Sequence, residues 1–181
     1  MYTMKTNDLI KTLRHFDVQH DYWLYSGDEL ALLFPEPPQQ LKNAILRHCK
    51  AGHLLKVGGG LYAWPDAKST PMYRLEHLIN RLRRRELSYI SLESALSMHG
   101  WISQIPMAVL TVMTTGRTYT QTTPYGVIEW VHTKQSDADI LAGTVWDEAR
   151  GCLIATPQQA YRDLKRVGRN LDLVSPDEED Q

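Results

Sequence analysis

The stretch PQQLKNAILRHCKAGHLLKVGGGLYAW, residues 38–64, decides the fold. Its first half has helical period: Leu41, Ala44, Ile45 and Cys49 fall on one face, with Gln39, Gln40, Asn43, Arg47 and Lys50 towards solvent and Lys42 at the flank. Pro38 suits the first helical position, where no amide donor is needed, and Gly52 suits the end. The second half is two short apolar runs, residues 54–57 and 61–64, around Gly58-Gly59-Gly60, a turn that asks for positive φ. Between Pro37 and Pro65 stand Lys42, Arg47, Lys50 and Lys56 and no Asp or Glu. A basic helix followed by a glycine-turned ribbon is the end of a winged helix-turn-helix.

Upstream elements complete that order. Leu9, Ile10, Leu13 and Phe16 predict a helix over residues 8–16, with Thr6 or Asn7 as its cap. Residues 23–25 read as extended, and Ser26 with Glu29 has capping-box spacing ahead of a two-turn helix over 27–33. Phe34-Pro35-Glu36-Pro37-Pro38 must break that helix, because a proline has no amide donor and restricts its predecessor. The winged helix-turn-helix is therefore assigned to residues 1–65.

Downstream, a polar connector runs from Pro65 to Pro71. Met72, Leu75, Leu78, Ile79 and Leu82 then predict an amphipathic helix ending in Arg83-Arg84-Arg85, so residues 66–86 read as a basic connecting helix. Ser91 is placed as the cap of a helix to Ser97, stopped by Gly100. The period then becomes that of strands, in Val109 to Met113 and Gly126 to His132. Thr156-Pro157-Gln158-Gln159 reads as a helix start with the glutamine closing a box, and that helix reaches about Arg166. The expected class is α+β: the winged unit, then a small mixed sheet with helices over residues 87–174. Asp177-Glu178-Glu179-Asp180, within residues 175–181, reads as an acidic, disordered tail.

The 181 residues suffice for two small domains, and 43% hydrophobic with 23% charged residues is a globular composition. There is no apolar run long enough to span a bilayer and no signal-peptide order at the start, so the expected location is the cytoplasm without membrane attachment. Cys49 and Cys152 lie far apart, which suggests neither a disulfide framework nor a zinc knuckle. The net charge of −1 conceals an asymmetry: +1 over residues 1–64, +3 over 65–86 and −5 over 87–181. A basic front and an acidic back point to two modules with different partners.

For double-stranded DNA, Gln39, Gln40 and Asn43 are candidates to reach base edges, and Lys42, Arg47, Lys50 and Lys56 to contact phosphate. Arg83, Arg84 and Arg85 read two ways: as a solvated helix end whose cations complement the macrodipole, or as a patch that extends the DNA footprint or meets an acidic partner. Thr114-Thr115-Gly116-Arg117 closes an apolar strand, with Gly116 expected to make a left-handed turn aiming Arg117 outward. The triple glycine lacks the GK[ST] of a phosphate loop. The seven histidines have no metal-ligand spacing, and no nucleophile elbow or catalytic triad order is present; Asp137 and Asp139 read as a polar loop. The reading implies no enzyme, no metal and no cofactor.

GDELALLFP, LKNAILRHCKAGHLLKVGGGLYAW, YISLESALSMHGWI, VLTVMTTGR, TPYGVIEWVH and LIATPQQAYRDL, in that order, resemble the AbiEi antitoxins of abortive-infection, type IV toxin-antitoxin systems. The resemblance spans roughly Asp8 to Asp163, and its most specific pieces are SLESALSMHG and the strand ending in Thr114-Thr115-Gly116-Arg117. It implies a nucleotidyltransferase-like toxin as functional partner, a first domain that represses its own promoter, and a second domain, with Thr115, Gly116 and Arg117 at a strand tip, that serves antitoxicity. The chain departs from the family where TPQQAYRDLK stands for SPERALLDLL, placing Tyr161 and Lys165 at apolar positions, and where Pro37-Pro38 lengthens the turn before the third helix. The alternative function is a standalone transcriptional regulator whose second domain senses a ligand or dimerises.

Overall fold

The computed structural model describes residues 4–102 and 109–174. Among them the chain forms seven α-helices and nine strands in two sheets, an α+β fold. It divides into two compact units, residues 1–72 and 73–181. The division falls after Met72, not at Pro65, because the carboxylate of Asp17 holds the connector to the first helix: the amides of Lys68 and Ser69 donate to it at 3.0 and 2.9 Å. The expected acidic tail lies outside the described residues.

The first unit runs α1 (Thr6–His20), β1 (Leu24–Ser26), α2 (Gly27–Leu33), α3 (Pro38–Lys50), β2 (Leu55–Gly58) and β3 (Leu61–Ala63). β3 lies between β1 and β2, antiparallel to both, which is the three-stranded sheet of a winged helix. Two local expectations are met closely. The Ser26 hydroxyl accepts from the Glu29 amide while the Glu29 carboxylate accepts from the Ser26 amide, a full capping box. Gly58, Gly59 and Gly60 all have positive φ, at 122°, 56° and 75°, a path closed to most side chains.

α1 is longer than its periodicity predicts. It starts at Thr6 with Lys5 at the cap and no side-chain cap, and it stops where Asp21 turns left-handed at φ 50°. The extra turn is held by Asp17, which is buried and occupied by the connector. The core of this unit draws on Leu9 and Leu13 of α1, Leu30 of α2, Leu41, Ala44 and Ile45 of α3, with Tyr25, Leu54 and Trp64 from the sheet side.

The second unit runs α4 (Arg74–Leu82), β4 (Ser88–Ile90), α5 (Leu92–Met98), β5 (Val109–Thr114), β6 (Tyr119–Thr123), β7 (Gly126–His132), α6 (Asp137–Ala142), β8 (Thr144–Asp147), β9 (Cys152–Ala155) and α7 (Pro157–Val167), then a 3-10 turn, Leu171–Leu173. Its sheet has the order β6-β7-β5-β4-β9-β8, and the β5/β7 and β4/β9 pairs are parallel. α4 packs on β4, β7 and β9 and so belongs to this unit instead of forming a separate connecting element. The interior gathers Tyr89, Ile90, Val112, Met113, Ile128, Trp130 and Leu164.

Three further expectations change. Asp137 and Asp139 sit in the first turn of α6, capped by Ser136, not in a loop. Ser91 does not cap α5 with its side chain; its hydroxyl donates instead to Asp163 at 2.8 Å, and the chain enters the helix through Leu92 at φ 55°. Thr156 does cap α7, but Gln159 does not close the box: its amide turns to Asp163 at 3.0 Å and Gln135.

Asp163 is the hub of the second unit. It is fully buried and accepts from the Tyr89 hydroxyl, the Ser91 hydroxyl and the side-chain amides of Gln135 and Gln159, all within 2.8–3.0 Å. Burial first, and the Asp163 charge second, push the Tyr89 hydroxyl well above its ordinary pKa, so it stays a donor. Beyond α7, Arg169 clasps Glu129 at 2.6 Å and Glu93 at 2.9 Å, tying the end of the described chain to β7 and α5.

Candidate nucleic-acid interface and an arginine-lined cleft

α3 presents the candidate DNA residues on one exposed surface. Leu41, Ala44, Ile45 and His48 face the core, and Gln39, Gln40, Lys42, Asn43, Arg47 and Lys50 are all exposed. Positions 39, 42, 43, 46 and 50 form one stripe by helical spacing, since side chains three and four apart stack. Leu46, 48% exposed, lies within it. Sequence reasoning passed over Leu46, although an apolar residue among amides and cations is what a thymine methyl group contacts in a major groove.

The amides of this stripe are partly engaged with each other. Gln39 Nε2 donates to Asn43 Oδ1 at 3.1 Å, leaving Gln39 Oε1 and Asn43 Nδ2 as the acceptor and donor for a base edge. Arg47 has a second employment, because its Nη2 donates to the main-chain oxygen of Met4 at 2.7 Å. His48 Nε2 reaches the same oxygen at 3.0 Å, so α3 is pinned to the start of α1 through two side chains. Burial holds His48 below the ordinary histidine pKa, partly countered by that carbonyl, with the Arg47 and His53 charges lowering it further.

The ribbon stands beside α3. Lys56 on β2 is exposed, and its charge acts on the Cys49 thiol of α3, partly offsetting the upward push of burial there. Gly59 and Gly60 at the turn are exposed as well, so the tip is uncovered within this unit. The Gly27 amide donates to the Gly60 oxygen at 3.0 Å, which fixes the returning strand to the start of α2.

The second cluster resolves differently from its sequence reading. The three arginines after α4 are not equivalent: Arg84 and Arg85 are exposed, but Arg83 is 8% exposed. The chain leaves the helix at Arg83 with φ −129° and ψ 63°, which turns this side chain inward. Its Nη1 donates to Glu86 at 2.5 Å and Thr114 Oγ1 at 3.2 Å, and Nη2 donates to the Arg117 main-chain oxygen at 2.7 Å. The guanidinium also lies 4.4 Å from the centre of the Trp130 ring and 4.9 Å from that of Tyr119. Arg83 is thus a structural cation, neither solvated nor open to a partner.

Thr115, Gly116 and Arg117 do form the tip after β5, but Gly116 is not left-handed. What it provides is room, since an added Cβ would overlap the Glu86 carboxylate and the Arg83 guanidinium. Thr115 is engaged with Leu87 through its amide at 3.0 Å and its hydroxyl at 3.2 Å. The turn is held from the other side by His132, whose Nδ1 lies 2.8 Å from the Gly116 oxygen and whose amide donates to Thr118 Oγ1. Arg117 remains exposed. Between this turn and the end of α4 lies a cleft of about 620 Å³ lined by Leu82, the three arginines and Glu86 on one side and by Arg117, Thr118 and Tyr119 on the other. Tyr119 and Thr118 were not legible as site residues: Tyr119 begins, and Thr118 just precedes, a polar strand, YTQTT, with the composition of a loop.

Among the described residues no group of His, Cys, Asp and Glu is placed to hold a metal ion. No helix among them is long and apolar enough to cross a membrane. No family model matches the chain, and no curated protein matches it. In structure it is similar to the RV2827C protein from Mycobacterium tuberculosis, with a TM-score of 0.60 and 13% identity over 88% of this chain. The chain spans 60% of the length of that protein, and at such identity the likeness is one of fold.

Proposed function

We propose that the chain is a DNA-binding autorepressor and antitoxin of a type IV-like pair, acting in the cytoplasm on its own promoter and against a nucleotidyltransferase-like toxin. The observation that carries the DNA-binding half is the exposed α3 stripe with its amides and cations beside an uncovered, lysine-bearing glycine ribbon. α3 is the element that enters the major groove, Lys42, Lys50 and Lys56 meet phosphate, and Gln39, Gln40 and Asn43 read base edges. Arg47 contributes charge at the flank while anchored to Met4.

The antitoxin half rests on the sequence resemblance set out above. Its test is co-expression with the adjacent open reading frame: the chain is expected to restore growth, and failure to do so, with the neighbour toxic on its own, refutes the antitoxin reading. The promoter-binding half is tested separately, by titrating the chain on DNA from its own upstream region. A second reading, a standalone regulator with a ligand-sensing second unit, is favoured by the 620 Å³ cleft there. A small molecule that changes promoter affinity, with no toxic neighbour, would select it.

A further inference from the structure

We propose that the cleft between the end of α4 and the β5–β6 turn is a binding site for a nucleoside phosphate, with Arg85 and Arg117 on the phosphate and Tyr119 against the base. The cleft belongs to the second unit; naming its ligand deepens the ligand-sensing reading of that unit and does not rest on the antitoxin reading.

The lining carries four arginines and one carboxylate, and that carboxylate, Glu86, is already paired with Arg83. Arg85 comes from the turn after α4 and Arg117 from the turn after β5, so the fold brings like charges from distant sequence to one concavity. Such a gathering raises the free energy of the folded chain unless an anion relieves it. Guanidinium groups suit phosphate because their planar donor forks match its oxygens two at a time.

Arg83 forms the floor: it fastens the α4 side through Glu86 and the opposite side through the Arg117 oxygen, while Gly116 leaves the space it occupies. The mouth is therefore held open at fixed width by a buried cation, with exposed Arg84, Arg85 and Arg117 around it. Arg83 is a positioning residue here, not a ligand contact.

Tyr119 lines the cleft, is 46% exposed, and its ring is backed by the Arg83 guanidinium and by Trp130 at 6.4 Å between centres. An aromatic ring held in place beside a phosphate site is a stacking platform for a base. The volume falls within the range of small-molecule sites, roughly 300–1,000 Å³. A concave mouth suits a single nucleotide or strand end better than a duplex, whose recognition needs a protruding element.

Equilibrium binding to the full-length protein tests this, with ATP, a short 5′-phosphorylated single-stranded RNA, inorganic phosphate, a duplex DNA and an acidic peptide as probes. ATP or the RNA is expected to bind saturably, ATP alone marking a free nucleotide as the source and RNA alone a strand end. Arg85→Glu and Arg117→Glu, both at exposed positions, are expected to weaken that binding at least tenfold, about 1.4 kcal/mol each. Tyr119→Ala is expected to weaken ATP or RNA and leave inorganic phosphate unchanged, while Lys42→Ala on α3 leaves all three unchanged. The proposal falls if neither nucleotide probe binds or if only the duplex or the peptide does. It falls equally if Arg117→Glu and Arg85→Glu both leave nucleotide affinity intact, or if phosphate binds as tightly as ATP and Tyr119→Ala has no effect. Because no promoter DNA or toxin enters the assay, its failure is distinct from failure of the DNA-binding or antitoxin readings.

Discussion

Arg83 donates to the main-chain oxygen of Arg117 at 2.7 Å, so one arginine of the basic cluster holds another in place. Removing it by Arg83→Met takes a charged donor from that oxygen, from Glu86 and from buried Thr114, whose hydroxyl keeps the Ser88 hydroxyl and the Gly116 amide as donors. The expected loss is about 2 kcal/mol of stability, because hydrogen bonds to a buried charge exceed those between neutral groups. Urea denaturation followed by tryptophan fluorescence measures it, and an unchanged midpoint would refute the structural role.

Gly116→Ala places a methyl group on the Arg83–Glu86 pair. The pair must move, and overpacking of this kind costs about 1–3 kcal/mol. Arg117→Ala, one residue on and exposed, is expected to change stability by less than about 0.5 kcal/mol. Thermal melts of the two variants side by side separate room for a neighbour from a need for the arginine itself.

Asp163→Asn exchanges an acceptor for a donor in front of Tyr89, Ser91, Gln135 and Gln159, which already donate to it. At a fully buried position this is expected to cost about 3 kcal/mol and to loosen α7 from β4. Hydrogen exchange of the amides in α7 and β4, faster in the variant, is the check.

Lys56→Glu tests the ribbon. Loss of one phosphate contact lowers the slope of log affinity against log salt by about 1, and the reversed charge adds repulsion at low salt. Filter binding on the chain's own promoter across a salt series reads both. A slope equal to that of the wild type would remove the ribbon from the interface.

His48 is buried and held below its ordinary pKa, so the folded chain protonates it less readily than the unfolded chain, which takes up the proton near 6.5. Here the unfolded state binds the extra proton, so stability rises with pH through this window. Acidification from about 6.5 towards the folded pKa is expected to erode stability, by at most about 1.4 kcal/mol per pH unit. His48→Gln, which keeps a donor for Met4, is expected to flatten that part of the profile, as denaturation midpoints at several pH values would record.

Local signals in this chain are legible because their physics is local. The Ser26–Glu29 box, Pro38 at the head of α3, the glycine turn and the β7 limits each depend on a few neighbouring residues. β4, β8 and β9 are three or four residues long and gain their identity only from the strands beside them. α6 buries Ile140 alone, too little to set a period. The α3 candidates were legible as an exposed face because burial of an amphipathic helix follows from its own spacing. Arg83, Glu86 and Tyr119 were not, since a run of three arginines gives no sign of which one the backbone turns inward.

The apolar centre of the first unit is drawn entirely from positions between Met4 and Ala67. A crossover in the gene near codon 72 would therefore transplant that half with its packing whole, in company with any other downstream sequence. On the reading proposed above, promoter choice could be shuffled among lineages without rebuilding whatever the remainder of the polypeptide opposes.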